Sequence, residues 1–329
     1  MKGVSPKDPA WKAVRAVVRG NLDEAASAAA RLSAAGDPEA LHDVRVAVRH
    51  LRVVMKAYAP DLKPGVPKGL RDAFSALASM TTDARDAEVF VAWLRKRVGR
   101  LAVARRPAAQ WLIQLAEIRL QAAYRSLRRL VPKAVAMIEP VLRAGLAIPP
   151  RAGRNPAAES FESRSARIIA KQAEELVAAI DKVRGPTDDD PAHEARIAAK
   201  KVRYLLEPAV GPRGTSVIKP MKDLQSRLGD LHDLAGVAAQ VAHARRGRSK
   251  DPALAPTAAR IAAIPFITAL AAREHDALFR RIREEFLSPP RAWLRPLRAW
   301  IRRHEASVRA ESGRLKPAVR LLRQVHSPG

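Results

Sequence analysis

His42, Arg45, Arg49 and Arg52 recur at intervals of 3, 4 and 3 residues, and His193, Arg196, Lys200 and Arg203 repeat those intervals in a second segment. At about 100° per residue, four positions so spaced fall within roughly 80° of one helix face. Each set is a row of cations aimed one way. Like charges three or four positions apart repel, at a cost of about 0.2–0.5 kcal/mol per pair. A polyanion laid along the row would reverse that cost. Arginine suits such a ligand, because its planar fork of donors stays charged at physiological pH. Each desolvated charge-assisted bond to a phosphate oxygen contributes roughly 1.5–3 kcal/mol. An imidazole beside phosphate should gain a proton, which gives His42 and His193 a part in the same contact.

The elements that must hold these rows can be read from the apolar positions. Leu41, Val44, Val48, Leu51 and Met55 follow helical spacing, as do Ala192, Ala195, Ala199, Val202 and Leu206. Each apolar stripe lies about 100° around the helix from its basic row, so burying one turns the other toward a neighbouring groove. Asp37-Pro38 and Asp190-Pro191 predict helix starts, with Asp as the N-cap and Pro as the first helical residue. His42 and His193 then lie near helix N-termini, where the macrodipole adds positive potential. The pattern is helical almost throughout, with breaks predicted at residues 60–67, 184–191, 211–214, 247–256 and 288–290.

The duplication is wider than the rows. Lys12, Arg15 and Arg19 precede the first row as Arg164, Arg167 and Lys171 precede the second. Asp83-Ala-Arg-Asp86 follows the first as Asp230-Leu-His-Asp233 follows the second, and residues 123–128 match 278–283. Such ordered self-similarity, displaced by about 150 residues, predicts two helical units of about four helices each. The units are residues 1–150 and 151–311, with a break at 148–156 and a C-terminal tail at 312–329.

Composition narrows the ligand. Sixty basic residues stand against 33 acidic ones, a net charge of +27 with a pI near 11.3. Such an excess repels itself and favours acidic partners: nucleic acid, anionic membrane or an inorganic polyanion. There is no cysteine, which excludes disulfides, thiolate metal sites and cysteine nucleophiles. No signal-peptide pattern opens the chain, and the apolar stretch 261–272 is short and broken by Pro265, so a cytoplasmic protein is expected. The sequence carries no nucleophile elbow, no phosphate-binding loop and no paired-histidine metal motif. Binding without catalysis, cofactor or metal is the expectation. Nucleic acid is the rival ligand, but aromatics are 4% of the chain and none interleaves the rows for base stacking. No aromatic-rich amphipathic helix suggests a membrane surface.

At these residues the sequence resembles the CHAD family, the conserved-histidine α-helical domain. The pattern H-x-x-R-x-x-x-[RK]-[RK]-x-R is carried by His42, Arg45, Arg49, His50 and Arg52, and by His193, Arg196, Lys200, Lys201 and Arg203, with Tyr204 following. Arg85-Asp86 matches a downstream R-D element, with His232-Asp233 as its second-half counterpart. Two departures are His50, where the family has Arg or Lys, and His232 opposite Arg85. The resemblance implies an all-α fold of two tandem four-helix-bundle repeats, related by pseudo-twofold symmetry around a basic channel. It also implies binding of inorganic polyphosphate and association with polyphosphate granules. The Glu-x-Glu-x-Lys mark of an attached triphosphate-tunnel domain is absent. The expected ligand shell is His42, Arg45, Arg49, Arg52, His193, Arg196, Lys200 and Arg203. Arg15, Arg19, Arg167 and Lys171 are expected to line the same channel, with Lys12, Arg164 and Arg85 nearby. Asp86 and Asp233 would orient these cations, and Tyr204 would either reach phosphate or pack in the core. Nucleic acid would be the weaker competitor, or the cations would coat a granule surface.

Overall fold

The apolar stripes of both motif segments become buried helix faces. Leu41, Val44, Val48, Leu51 and Met55 are each at most 1% exposed, and Ala195, Ala199, Val202 and Leu206 are fully buried. Burying a Val, Leu or Met side chain stabilises a fold by roughly 1.5–3 kcal/mol, so these faces fix the roll of each helix. The structure is a computed structural model and describes residues 4–34, 37, 39–150, 159–246 and 254–304.

Among the described residues the chain is all α-helical, with short 3-10 and π turns and no strand. The helices are α1 (Ala10–Ser33), α2 (Ala40–Ala57), α3 (Ala59–Leu62), α4 (Lys68–Met80), α5 (Thr82–Val98) and α6 (Arg106–Ala147). They continue with α7 (Phe161–Asp181), α8 (Asp189–Val210), α9 (Thr215–Ala235), α10 (Val237–Arg246), α11 (Ala258–Ala262) and α12 (Ile264–Ile282). A last helical segment covers residues 295–304. Helices are interrupted within each predicted break that is described, although α3 fills the start of 60–67 and α8 begins inside 184–191; 247–253, 151–158 of the inter-half break and the tail lie outside the described residues.

The helix starts differ from the sequence reading. Glu39, not Asp37, precedes α2, although Asp37 Oδ1 accepts the Glu39 amide at 2.9 Å. In the second half α8 begins at Asp189, so Asp190 and Pro191 lie inside its first turn. Asp188 stands at the cap, but its carboxylate faces backward and accepts the amides of Arg184 and Gly185 at 2.8 and 2.9 Å. His42 and His193 still fall in or next to the first turn of their helices.

Helix α2 packs on α1, α4 and α8; α8 packs on α7, α9 and α2. The starts of α1 and α7 are stitched together by backbone bonds, Ala10 N to Glu159 O at 3.1 Å and Phe161 N to Asp8 O at 2.8 Å. Two apolar clusters result, and each draws on both halves of the chain. The larger joins α1, α2, α4, the C-terminal half of α6, α7, α8 and α9. The smaller joins α5, the N-terminal half of α6, α10 and the start of α12. The 42-residue α6, about 63 Å long at 1.5 Å per residue, serves both. Its far end meets the loop before α4 at Gly65 and Gly145, where a side chain on either glycine would collide with the other's carbonyl.

Candidate polyanion-binding site

The packing of α2 against α8 joins the two cation rows. Arg49 Nη1 donates to Tyr204 Oη at 3.3 Å, across the two halves. His50 lies against the Tyr204 ring with centroids 4.2 Å apart. Tyr204 is 1% exposed, so it packs in the core while its hydroxyl bridges the rows. Arg203 lies over the other part of this assembly, its guanidinium 4.6 Å from the Tyr204 ring centre.

The charges of the rows act on one another. Burial pushes Lys200 down from its ordinary 10.5 to about 7, and Arg196, Arg49 and Arg45 add to the effect while Asp233 opposes it. Burial likewise lowers Arg45 to about 10, with Arg49 and Arg85 contributing. Arg196 is lowered by burial, opposed by Asp233 and reinforced by Arg49. Arg52 is lowered by burial and then by Arg49. Arg49 therefore faces cations of both helices, and the two rows share one electrostatic environment.

Partners inside the molecule leave this charge incompletely balanced. Arg45 donates to the Thr81 carbonyl and hydroxyl, which ties α2 to the start of α5. Arg52 donates to Ser75 Oγ at 3.1 Å. Arg85 reaches Glu88 at 3.4 Å, and Tyr124 donates to the same carboxylate. Glu207 lies 3.4 Å from Arg203 and 3.5 Å from His50. Yet Arg196 Nε and His193 Nδ1 are buried without a hydrogen bond. A buried N–H left this way, as at Arg196, costs about 1–3 kcal/mol, which an acceptor atom would recover.

The acid-marked segments arrive at the same place because α5 packs on α9. Asp233 is raised first by burial, with Arg196 and Arg85 opposing and Asp86 adding repulsion. Asp86 is raised by burial, with Arg45, His232 and Arg196 opposing. Both carboxylates are thus electrostatic neighbours of the rows. His193 and His232 stack in a tilted pair at 4.6 Å. Burial lowers both, and in His193 the neighbouring His232, Arg196 and Lys200 lower it further. His50 is held at about 4 by burial, Arg203 and Arg49. These surroundings favour the neutral form of all three imidazoles.

The expected residues divide into two groups. Arg45, Arg49, Arg52, Arg85, His193, Arg196, Lys200 and Arg203 converge. His42 stands exposed on α2, one turn before Arg45. The α1 and α7 cations do not follow the expected pattern. Arg15 is 4% exposed and donates to the carbonyls of Leu146 (2.8 Å), Ile148 and Lys63 (3.5 Å), so it braces the end of α6 instead of lining a channel. Arg164 lies 3.0 Å from Asp61 and 3.5 Å from Glu159, and Arg167 lies 2.8 Å from Glu159. Carboxylates already occupy both. Lys12, Arg19 and Lys171 are exposed on α1 and α7. Thr81, and the stacking of His193 on His232, are features that spacing alone did not mark.

Among the described residues there is no group of three metal-ligating side chains, and no helix is long and apolar enough to cross a membrane. Comparison with known proteins places the architecture. No curated protein sequence matches the chain. The fold is similar to that of the CHAD domain from the plant Ricinus communis (TM-score 0.59, 21% identity, covering 92% of this chain and 95% of that one). It is also similar to PptA from Streptomyces chartreusis (TM-score 0.64, 17% identity, covering 84% and 99%). The family model described as the CHAD domain matches residues 16–243, from the second turn of α1 through both cation rows to α10, and the chain belongs to the CHAD domain family.

Proposed function

We propose that this protein binds inorganic polyphosphate, without catalysis, in a basic cleft shared by α2 and α8. The observation that carries this reading is the meeting of the two rows: Arg49 of α2 donates to Tyr204 of α8 at 3.3 Å, and burial first and then Arg49 lowers Arg196, as burial, Arg196 and Arg49 lower Lys200. Folding has gathered charge that its own carboxylates do not neutralise. A linear chain of phosphates supplies one negative charge after another at close intervals and needs no base-reading or stacking groups. Arg49, Arg196 and Lys200 form the centre of the clamp, with Arg45, Arg52, Arg85 and Arg203 around it. His193 and His232 take up protons as phosphate settles beside them. In this reading the two halves are pseudo-twofold related repeats about the cleft, and the bound chain tethers the protein to polyphosphate granules.

Family membership accords with the reading. The test is competition among long polyphosphate, short phosphate oligomers and DNA, at matched phosphate concentration. Long polyphosphate should displace the others, and preferential binding of DNA would overturn the assignment. Phosphate release on prolonged incubation would contradict the absence of catalysis.

A further inference from the structure

Helix α6 carries two apolar faces along its C-terminal half, and the fold buries one of them. Leu127, Val131, Val135, Leu142 and Leu146 enter the larger core cluster. Leu130, Ala134, Met137, Val141, Ala144 and Ile148 form a second stripe, at intervals of 4, 3, 4, 3 and 4 residues. At about 100° per residue these six fall within roughly 80° of one another, to one side of the buried face. Leu130, Met137, Val141 and Ile148 are 41, 75, 54 and 46% exposed, and Ala144 is exposed as well. Charge is kept off the stripe. From Ala134 to Ile148 the charged residues are Glu139 and Arg143, on the opposite side of the helix, where Arg143 donates to Glu139 at 2.9 Å and meets Asp23 at 2.5 Å.

Alternating intervals of four and three are those of a coiled-coil seam, whose side chains pack into the gaps of a second helix. The order of residues says which helix. About a midpoint at residue 139, Leu130 mirrors Ile148, Ala134 mirrors Ala144 and Met137 mirrors Val141: large, small, large on either side. A twofold contact requires one patch to complement itself, and this stripe does so when read backward. An antiparallel second α6 would stack Leu on Ile, Ala on Ala and Met on Val, then the same layers in reverse. The alanine layers would let the two backbones approach closely. Arg129 and Lys133 flank only the N-terminal end of the stripe, and the antiparallel order would set those ends apart. Each copy carries a net charge of +27, so an uncharged face is where two can meet without cation against cation.

We propose that two copies of this protein pair through this face, with their α6 helices antiparallel about a twofold axis at residue 139. The seam is about 27 Å long at 1.5 Å per residue, which places the pair among the smaller, reversible interfaces. Repulsion between the two basic chains opposes it, so salt strengthens the pairing. Association bridged by a polyanion on the cation rows has the opposite salt dependence. The pairing does not depend on what the rows bind.

Sedimentation of the polyanion-free chain over a range of concentrations, at low and high salt, tests it. The wild type should pass from monomer to dimer as concentration rises, and at lower concentration in high salt. Met137→Glu sets one carboxylate from each copy into the seam, at a position that is 75% exposed in the single chain. Helicity should be kept, and dimer affinity should fall by about 100-fold or more. Cysteine pairs read the orientation, since the chain has no cysteine of its own. A mixture of Ala134→Cys and Ala144→Cys proteins should form mixed disulfide dimers on mild oxidation. Neither alone should, because its two copies of the cysteine would lie about 15 Å apart along the seam. A wild type that stays monomeric throughout, or a dimer that Met137→Glu leaves intact, would overturn the proposal. So would a dimer that salt dissolves, or Ala134→Cys cross-linking to itself in place of the mixed pair.

Discussion

Two pairs of helices carry cations at the same spacing, and the fold uses them in opposite ways. On α1 and α7, Arg15 is bound by backbone carbonyls, while Arg164 and Arg167 meet Asp61 and Glu159. On α2 and α8, Arg45, Arg49, Arg196 and Lys200 crowd one another, and Arg196 Nε has no hydrogen bond. Arg15, Arg164 and Arg167 are taken up in holding the molecule together, while Lys12, Arg19 and Lys171 stay exposed. In the second set, burial and neighbouring cations lower Arg45, Arg196 and Lys200, with Asp86 and Asp233 opposing. Helical spacing fixes which cations share a face; it does not say what that face meets.

The largest expected difference between the two pairs lies in affinity. Replacing Arg49 and Arg196 together by Glu removes two charge-assisted contacts of roughly 1.5–3 kcal/mol each and adds repulsion, so polyphosphate affinity should fall by about 10³-fold or more. Arg167→Glu together with Lys171→Glu should change it by less than about tenfold, because exposed charges act only through a screened field. Filter binding on proteins of matched helicity checks both. Similar losses from the two pairs would erase the distinction drawn here.

Next in size is stability. Arg15→Met leaves the carbonyls of Leu146, Ile148 and Lys63 without their donor, and denaturant unfolding should show a loss of about 1–3 kcal/mol. Affinity per folded molecule should be unchanged. A variant that is fully stable but fails to bind would return Arg15 to the site.

A smaller effect separates the pairs by pH. Lys200 is at about 7 in the folded chain against an ordinary 10.5, so between those values the unfolded state binds more protons. The penalty it places on the fold is full below about pH 7 and fades as pH rises toward 10.5. Binding runs the other way, because phosphate favours the charged lysine. Affinity should therefore weaken as pH rises above about 7, with proton uptake on binding, and Lys200→Arg should flatten that limb. An unaltered pH profile in Lys200→Arg would remove Lys200 from contact.

The smallest effect is in the salt dependence. Whole-site binding should weaken by roughly 10³–10⁵ between 50 and 200 mM salt if six to ten phosphates are contacted. Loss of one cation from α2 or α8 should lower the log–log slope by about 0.7–0.9, and Arg167→Ala should leave it in place.

Much of this site was legible in the sequence for a physical reason. Val44, Val48, Leu51 and Met55 bury as a stripe, so the roll of α2 and the direction of Arg45, Arg49 and Arg52 follow from local spacing. The same logic gave α8. What spacing could not show is contact between distant segments. Arg15 meets the end of α6 more than a hundred residues away, and only the folded chain brings Gly65 and Gly145 close enough to form that corner. Asp37 and Asp190 carry good capping chemistry, but α8 starts a residue before Asp190, and Asp188 Oδ2 accepts two amides of the preceding turn. The interweaving of both halves in each apolar cluster was likewise not readable from a repeat alone.

If the two cation rows form one cleft, a phosphate oligomer meets both halves of the chain at once. Calorimetric titration with a phosphate oligomer just long enough to span both rows tests it most directly. One ligand should bind per chain, and Arg49→Glu or Arg196→Glu, each alone, should weaken that single site without leaving a second, unaffected one. Two ligands per chain, with each substitution removing only its own half's share, would contradict it.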